Sequence, residues 1–182
     1  MFNAGERVET NTSTIWTYLV YAGSWLSEGR LEYVVLTIAL VLSTAAVVLA
    51  MMGTFALRGR TASQTLFLPA GVLVYIAVPP ARDFATSGLE TCLVIFWLAM
   101  LWLLMVRWGQ RRSGGVELLL LAFFAGLGPL VRPELSIVAV LALAMIFLAP
   151  QSWLSRLRVF AFAGAVPVLY QIWRMGYYGL PY

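Results

Sequence analysis

VVLTIALVLSTAAVVLAMMGTFAL, residues 34–57, runs for 24 positions without a charged side chain and stops at Arg58 and Arg60. As a helix rising about 1.5 Å per residue, it crosses a hydrocarbon core about 30 Å thick with room to tilt. The rest of the 182-residue chain has the same character: 62% of residues are hydrophobic and 11% charged, against roughly 45–50% and about 25% in soluble domains. In hydrocarbon every backbone N–H and C=O must find its partner within the protein, which a helix achieves alone. The predicted fold class is therefore all-α, a polytopic transmembrane helix bundle.

Five shorter apolar stretches follow, at 65–80, 91–106, 116–131, 135–149 and 159–173. They recruit Ser, Thr, Gly and Trp flanks, or shield one another, to reach the length a bilayer needs. That makes about six spans. The segment 14–26, with Trp16, Tyr18, Tyr21 and Trp25, is too short to cross and rich in interfacial aromatics, and it predicts one juxtamembrane helix lying at the interface. The layout is then 1–30 as outer loop and interfacial helix, and 31–182 as the bundle. Residues 1–13 read as a polar loop with neither basic nor apolar signal-peptide regions, and 176–182 as a terminal turn. Together these ends suggest an internal part of a longer protein.

Cytoplasmic loops hold an Arg excess. With Val34 outside and Leu57 inside, the inner loops collect Arg58, Arg60, Arg107, Arg111, Arg112, Arg156 and Arg158, seven Arg with no acid among them. The outer side takes Arg7, Arg30, Arg82, Arg132 and Arg174 with Glu6, Glu9, Glu28, Glu32, Asp83, Glu90 and Glu134. The inner face reads as topological anchoring, and function is expected outside, on a multi-pass protein of the plasma membrane.

Composition excludes several chemistries. All 12 basic residues are Arg, and there is no Lys and no His, so imidazole bases, His metal clusters and Schiff bases have no residue to carry them. The basic residues lie scattered between apolar runs and make no patch that could track a nucleic acid. Cys92 is the single cysteine; it allows no internal disulfide and reads as a small core residue. Small pairs at four-residue spacing, Ala122/Gly126 and Ala161/Ala165, predict close helix approach.

Carboxylates and Arg cluster at three outer places. In Gly128-Pro129-Leu130-Val131-Arg132-Pro133-Glu134-Leu135, an Arg and a Glu flank one Pro between two spans, at a depth where ionisable groups usually face a bundle interior or a wet cavity. Pro133 fixes φ and starts the next helix, leaving Glu134 in its first turn. Plain headgroup anchoring of Arg132, neutralised by Glu134, is the competing explanation. In Pro79-Pro80-Ala81-Arg82-Asp83-Phe84-Ala85-Thr86-Ser87-Gly88-Leu89-Glu90-Thr91, Thr86 or Ser87 serves as an N-cap with Glu90 in the first turn, and capping does not require the Arg82-Asp83 pair. The loop Asn3-Ala4-Gly5-Glu6-Arg7-Val8-Glu9-Thr10 carries two more carboxylates and an Arg, as ordinary solvated surface also would. Trp173, Tyr177, Tyr178 and Tyr182 suit an interfacial belt, or rings stacking on a sugar.

Phe2-Asn3-x-Gly5-Glu6-Arg7-Val8-Glu9 with Ser13-Thr14-Ile15-Trp16, then Ser87-Gly88-Leu89-Glu90-Thr91, Arg132-Pro133-Glu134 and Gly176-Tyr177-Tyr178-Gly179 resemble, in order and spacing, the type C (GT-C fold) membrane glycosyltransferases that use polyprenyl-phosphate sugars. Within that family the nearest branch is that of arabinofuranosyltransferases capping arabinan in mycolate-bearing cell walls, with mannose and other sugars used by related members. The resemblance implies a polyprenyl-phosphate sugar donor, a glycan (arabinan) acceptor and the lipid bilayer as partners. Members carry an acidic pair, including the catalytic Asp, upstream of the segment equivalent to Phe2–Glu9. That pair is missing here, so no residue of this chain is assigned as catalytic base, and the chain alone is expected to transfer no sugar. For the charge left on a departing phosphate, planar guanidinium groups supply paired hydrogen bonds. The candidates are Arg132, Arg82, Arg7 and Arg174. Glu134, Glu90, Asp83, Glu6 and Glu9 could orient the acceptor or a divalent cation, and Tyr177 and Tyr178 could stack on sugar. The alternative function is a non-catalytic membrane component, a transporter half or assembly scaffold. Its ionisable residues should lie near mid-span, whereas here they gather at span ends.

The Arg distribution generates a topological prediction. Cysteines placed singly at Arg111 and Arg82 in a Cys92→Ser background should react with an impermeant thiol reagent from opposite sides. Labelling of both from outside defeats the six-span layout.

Overall fold

A computed structural model describes residues 11–27, 30–58, 70–111 and 115–178. Among them there is helix and no strand. The helices are α1 (Thr14–Ser27), α2 (Leu31–Arg58), α3 (Ala70–Ala77), α4 (Pro79–Thr86), α5 (Thr91–Arg111), α6 (Val116–Gly126), α7 (Gly128–Val131), α8 (Ser136–Leu148) and α9 (Trp153–Tyr178), with a 3-10 turn at Pro133–Leu135. They form two compact units, one from Ile15–Ser113 and one from Gly114–Tyr182 together with the chain's start through Thr14.

In the first unit α2 leaves Leu36, Leu40, Val41, Val48, Met52 and Phe55 exposed. So much apolar surface suits lipid and is foreign to a soluble monomer. Its buried positions include Ala39, Ala46 and Gly53, seven residues apart, and α5 repeats the spacing with buried Cys92, Ala99 and Val106. Seven residues are two helical turns, so each set forms one narrow seam. The two helices run parallel. Gly88, ahead of α5, lies beside Val35 near the start of α2, and Gly53 beside Trp102 and Leu103 near both ends. The Gln110 side-chain amide donates to the Ala56 carbonyl. A Cβ on Gly53 would stand 2.5 Å from Trp102 Nε1. The expected core role of Cys92 is met, since its side chain is fully enclosed. α1 touches α2 where Gly23 meets Val34 and Ile38.

The sequence reading needs correction between 65 and 91. The described part of the 65–80 stretch is broken at Val78: α3 covers Ala70–Ala77, and the chain restarts as α4 at Pro79. Val78 is extended with φ −78° and ψ 113°, as a residue before proline prefers, and the proline pair opens α4, where missing N–H groups cost nothing. Thr86 therefore lies inside α4, and Ser87 caps its C-terminal end, donating from Oγ to the Phe84 carbonyl at 3.0 Å. Neither is the N-cap of the next helix. α5 begins at Thr91, with the Glu90 carbonyl accepting from the Leu93 and Val94 amides. Gly88, at φ +78°, makes the left-handed bend that glycine tolerates best.

In the second unit α6 and α9 also run parallel and meet at Gly126 and Ala163. A Cβ on Gly126 would overlap the Ala163 carbonyl. Pro167 lies inside α9 and has no N–H to give the carbonyl four residues earlier, which is Ala163. The bare Cα of Gly126 fills that place, and its Cα–H faces the oxygen in the manner of a weak hydrogen bond. The expected Ala161/Ala165 contact does not occur, as both side chains are exposed while Val159 and Ala163 are buried; two residues' offset turns a helix about 200°. α6 ends at Gly126 because Pro129 cannot donate to the Ala125 carbonyl, and Leu127 bonds instead to the Phe123 and Phe124 carbonyls, both at 3.2 Å. α9 is longer than the stretch 159–173, starting at Trp153 and carrying Gly176, Tyr177 and Tyr178 in helix. All three were expected in a terminal turn; the described residues show no glycine bend there.

Among the described residues two helical segments, Leu31–Leu57 and Thr91–Gln110, are long and apolar enough to cross a bilayer, with shorter apolar helices at Val116–Val131 and Pro133–Leu148. The Gly126 contact yields a prediction: Gly126→Val, forcing two methyl groups and Cβ against backbone, should destabilise by about 1–3 kcal/mol or more. Gly164→Val on the same helix pair, with only Val168 near it, should cost far less. Equal losses of melting temperature in detergent would show that the approach at Gly126 is not specific.

Candidate functional site

Arg132 sits between two helical pieces with φ −155° and ψ 142°, the extended conformation that a following proline selects. Pro133 opens a 3-10 turn, so Glu134 occupies the turn ahead of α8. The two side chains pair across Pro133, Arg132 Nε to Glu134 Oε2 at 3.4 Å, with the Glu side chain 69% exposed and the Arg 39%. The pair faces out of a turn whose flanks, Leu130, Val131 and Leu135, are buried. The guanidinium thus rises from a buried apolar turn with its Nε edge directed to a carboxylate.

Both Arg132 and Arg174 lie beyond the Gly126–Ala163 contact, toward the same end of their unit. At about 1.5 Å per residue the eleven residues from Ala163 place Arg174 about 16 Å further along α9. On that stretch the aromatic rings form a stair. Tyr170 and Trp173 have centroids 5.8 Å apart, Trp173 and Tyr177 stack at 5.2 Å with 14° between planes, and Tyr178 meets Tyr177 edge-on at 4.9 Å. Sequence reading picked out Tyr177 and Tyr178 and missed Tyr170. The signal was present, since positions 170, 173 and 177 share one helix face.

In the other unit Asp83 is exposed on α4 and Glu90 half-buried before α5, and neither is without a partner. They lie near the start of α2, where Gly88 meets Val35. The Arg82 side chain lies outside the described residues, as do Arg7, Glu6 and Glu9. Among the described residues no group of three metal-ligating side chains comes together. The same unit holds a cavity of about 410 Å³ lined by Ala46, Ala50, Thr54, Val72, Tyr75 and Ala99, among others. Its wall is almost wholly apolar, and the Tyr75 hydroxyl is buried with no hydrogen-bond partner among the described residues.

Apolar helices long enough to cross a bilayer, a charged turn of Arg and Glu and a stair of aromatic rings place the chain in the class of helical membrane bundles. Comparison with known proteins narrows the class. Over 99% of its length the chain is 53% identical to a curated relative from Mycobacterium tuberculosis named terminal beta-(1->2)-arabinofuranosyltransferase. A second, from Corynebacterium glutamicum and of the same name, is 42% identical, again over 99% of the chain. By sequence, the chain is similar along its whole length to a part of each of these two arabinofuranosyltransferases. It spans 30% of the first relative and 28% of the second. No family profile matches it, and no solved structure does.

An ion pair this exposed contributes at most about 1 kcal/mol. Glu134→Gln should therefore leave the melting temperature of the detergent-solubilised protein within a few degrees of wild type. A larger fall would show the pair to be a structural tie.

Proposed function

We propose that this chain is a membrane-embedded portion of a glycosyltransferase that moves arabinofuranose from a polyprenyl-phosphate donor to a cell-wall glycan at the outer face of the plasma membrane. Relatedness along the whole chain to two arabinofuranosyltransferases is the observation that carries this reading. The six-span layout, the GT-C fold and the outer location of the Arg132 turn belong to the same proposal.

In the transfer an acceptor hydroxyl attacks the anomeric carbon, its proton passes to a base, and the bond to the polyprenyl phosphate breaks with the electron pair leaving on phosphate. Charge grows on the phosphate oxygens, and a preplaced guanidinium stabilises it most where water is scarce. Arg132 serves that role, positioned by its turn, with Glu134 holding the guanidinium plane. Arg174, toward the same end of its unit, is the further phosphate ligand. The rings of Trp173 and Tyr177 offer flat apolar faces to a sugar of the acceptor. The charged groups lie at helix ends, an arrangement that favours transfer at a membrane surface over transport through it.

Arg132→Lys tests the reading in the whole protein. An anchor needs only charge and a long stem, so the substitution is silent in that case. A phosphate ligand loses its planar fork, and the loss of one charge-assisted pair at about 1.5–3 kcal/mol lowers donor affinity or turnover by roughly one to two decades. Wild-type donor kinetics in a normally inserted variant would return Arg132 to the anchors.

A further inference from the structure

The end of the Gly114–Tyr182 unit remote from Arg132 has a cavity that the transferase reading does not use. It measures about 470 Å³ and is lined by Gly115, Leu118 and Leu119 from the start of α6 and by Pro150, Gln151, Ser152, Leu154, Ser155 and Arg158 around the start of α9. We propose that this cavity binds the phosphodiester headgroup of an anionic phospholipid, with Arg158 as its cation and Ser152 as a hydroxyl donor.

The wall is built for an anion. Among the described residues Arg158 is the charged one lining it, and no carboxylate lines it. The nearby Arg156 is turned elsewhere, its guanidinium carbon 4.8 Å from the centroid of the Phe147 ring. Glu117, on α6, does not line the cavity and has its own partner. The polar side chains are held in place by each other. Gln151 donates through Nε2 to the Ile146 carbonyl, and its Oε1 accepts from the Ser155 hydroxyl at 2.9 Å. Ser152 Oγ accepts from the Ser155 amide at 3.3 Å, which leaves its own hydroxyl proton for a ligand.

Helix geometry adds to this. Gly126 and Ala163 meet at the eleventh residue of α6 and of α9 alike, so the two parallel helices bring their N-terminal ends side by side at the cavity. Both ends present amides with no carbonyl four residues back in the helix, and both carry the positive pole of the helix dipole. Leu118, Leu119 and Leu154 complete the wall with apolar surface, which suits glycerol and the first acyl carbons. Free phosphate has no use for that rim. The Arg distribution places this end at the inner leaflet, where anionic lipids attract cationic protein surfaces. The inference rests on the topology of the transferase reading and not on its transfer chemistry.

Native mass spectrometry of the whole protein extracted from its membrane, titrated with phosphatidylglycerol and with phosphatidylcholine, tests the site. Wild type should retain phosphatidylglycerol at least several-fold more tightly. Arg158→Gln should weaken that lipid about tenfold, Arg158→Lys should lie between the two, and Arg107→Gln, an exposed inner-face Arg off the cavity, should leave it unchanged. Unaltered lipid retention in Arg158→Gln overturns the proposal, as does an equal loss in Arg107→Gln, which would mark diffuse charge attraction. Displacement of phosphatidylglycerol by equimolar inorganic phosphate would also overturn it, by showing that the apolar rim adds nothing. A melting temperature within a few degrees of wild type certifies that each variant is folded.

Discussion

Lipid tails are as apolar as leucine, so apolar side chains gain little by leaving them for one another, and helices in a bilayer must be joined by close contact. Both units rest on that constraint. In one, Ala39, Ala46 and Gly53 of α2 run as a seam beside the matching seam of α5, whose Cys92 and Ala99 are as small. In the other, Gly126 sets the backbone of α6 against a carbonyl of α9. The bulky residues Leu40, Val41, Phe55, Val140 and Leu141 are left facing outward. The charged turn and the aromatic stair are placed by these contacts, because each hangs from the end of a helix so fixed.

Much of this was legible in the sequence. The charge-free run 34–57 required a helix long enough to cross, and α2 spans it. Arg132-Pro133-Glu134 could be read as a turn because proline restricts itself and the residue before it, and the pair forms there at 3.4 Å. Other features needed three dimensions. Pro79-Pro80 looked like the end of a span, yet prolines also start helices, and only the conformation of Val78 shows which applies. On α9, apolar residues lie nearly all round, so periodicity could not say that Ala163 faces α6 while Ala161 and Ala165 do not.

The candidate site shows the same division. The residue types were visible and so was their position at span ends, since charge is excluded from the hydrocarbon. What no sequence pattern announces is a wall assembled from distant segments. The cavity near Arg158 joins residues 115–119 to 150–158, and no local motif marks either segment.

Pro167 gives α9 one further property. A helix lacking one main-chain bond bends most cheaply at that point, and here the lower half is clamped by Gly126 just where the bond is missing. The three turns that follow, with Trp173 and Tyr177, can tilt as a lever about a fixed fulcrum while the clamp and everything below it stay still. The rings of Trp173 and Tyr177, six and ten residues beyond Pro167, ride on the part of α9 that lies past this missing bond.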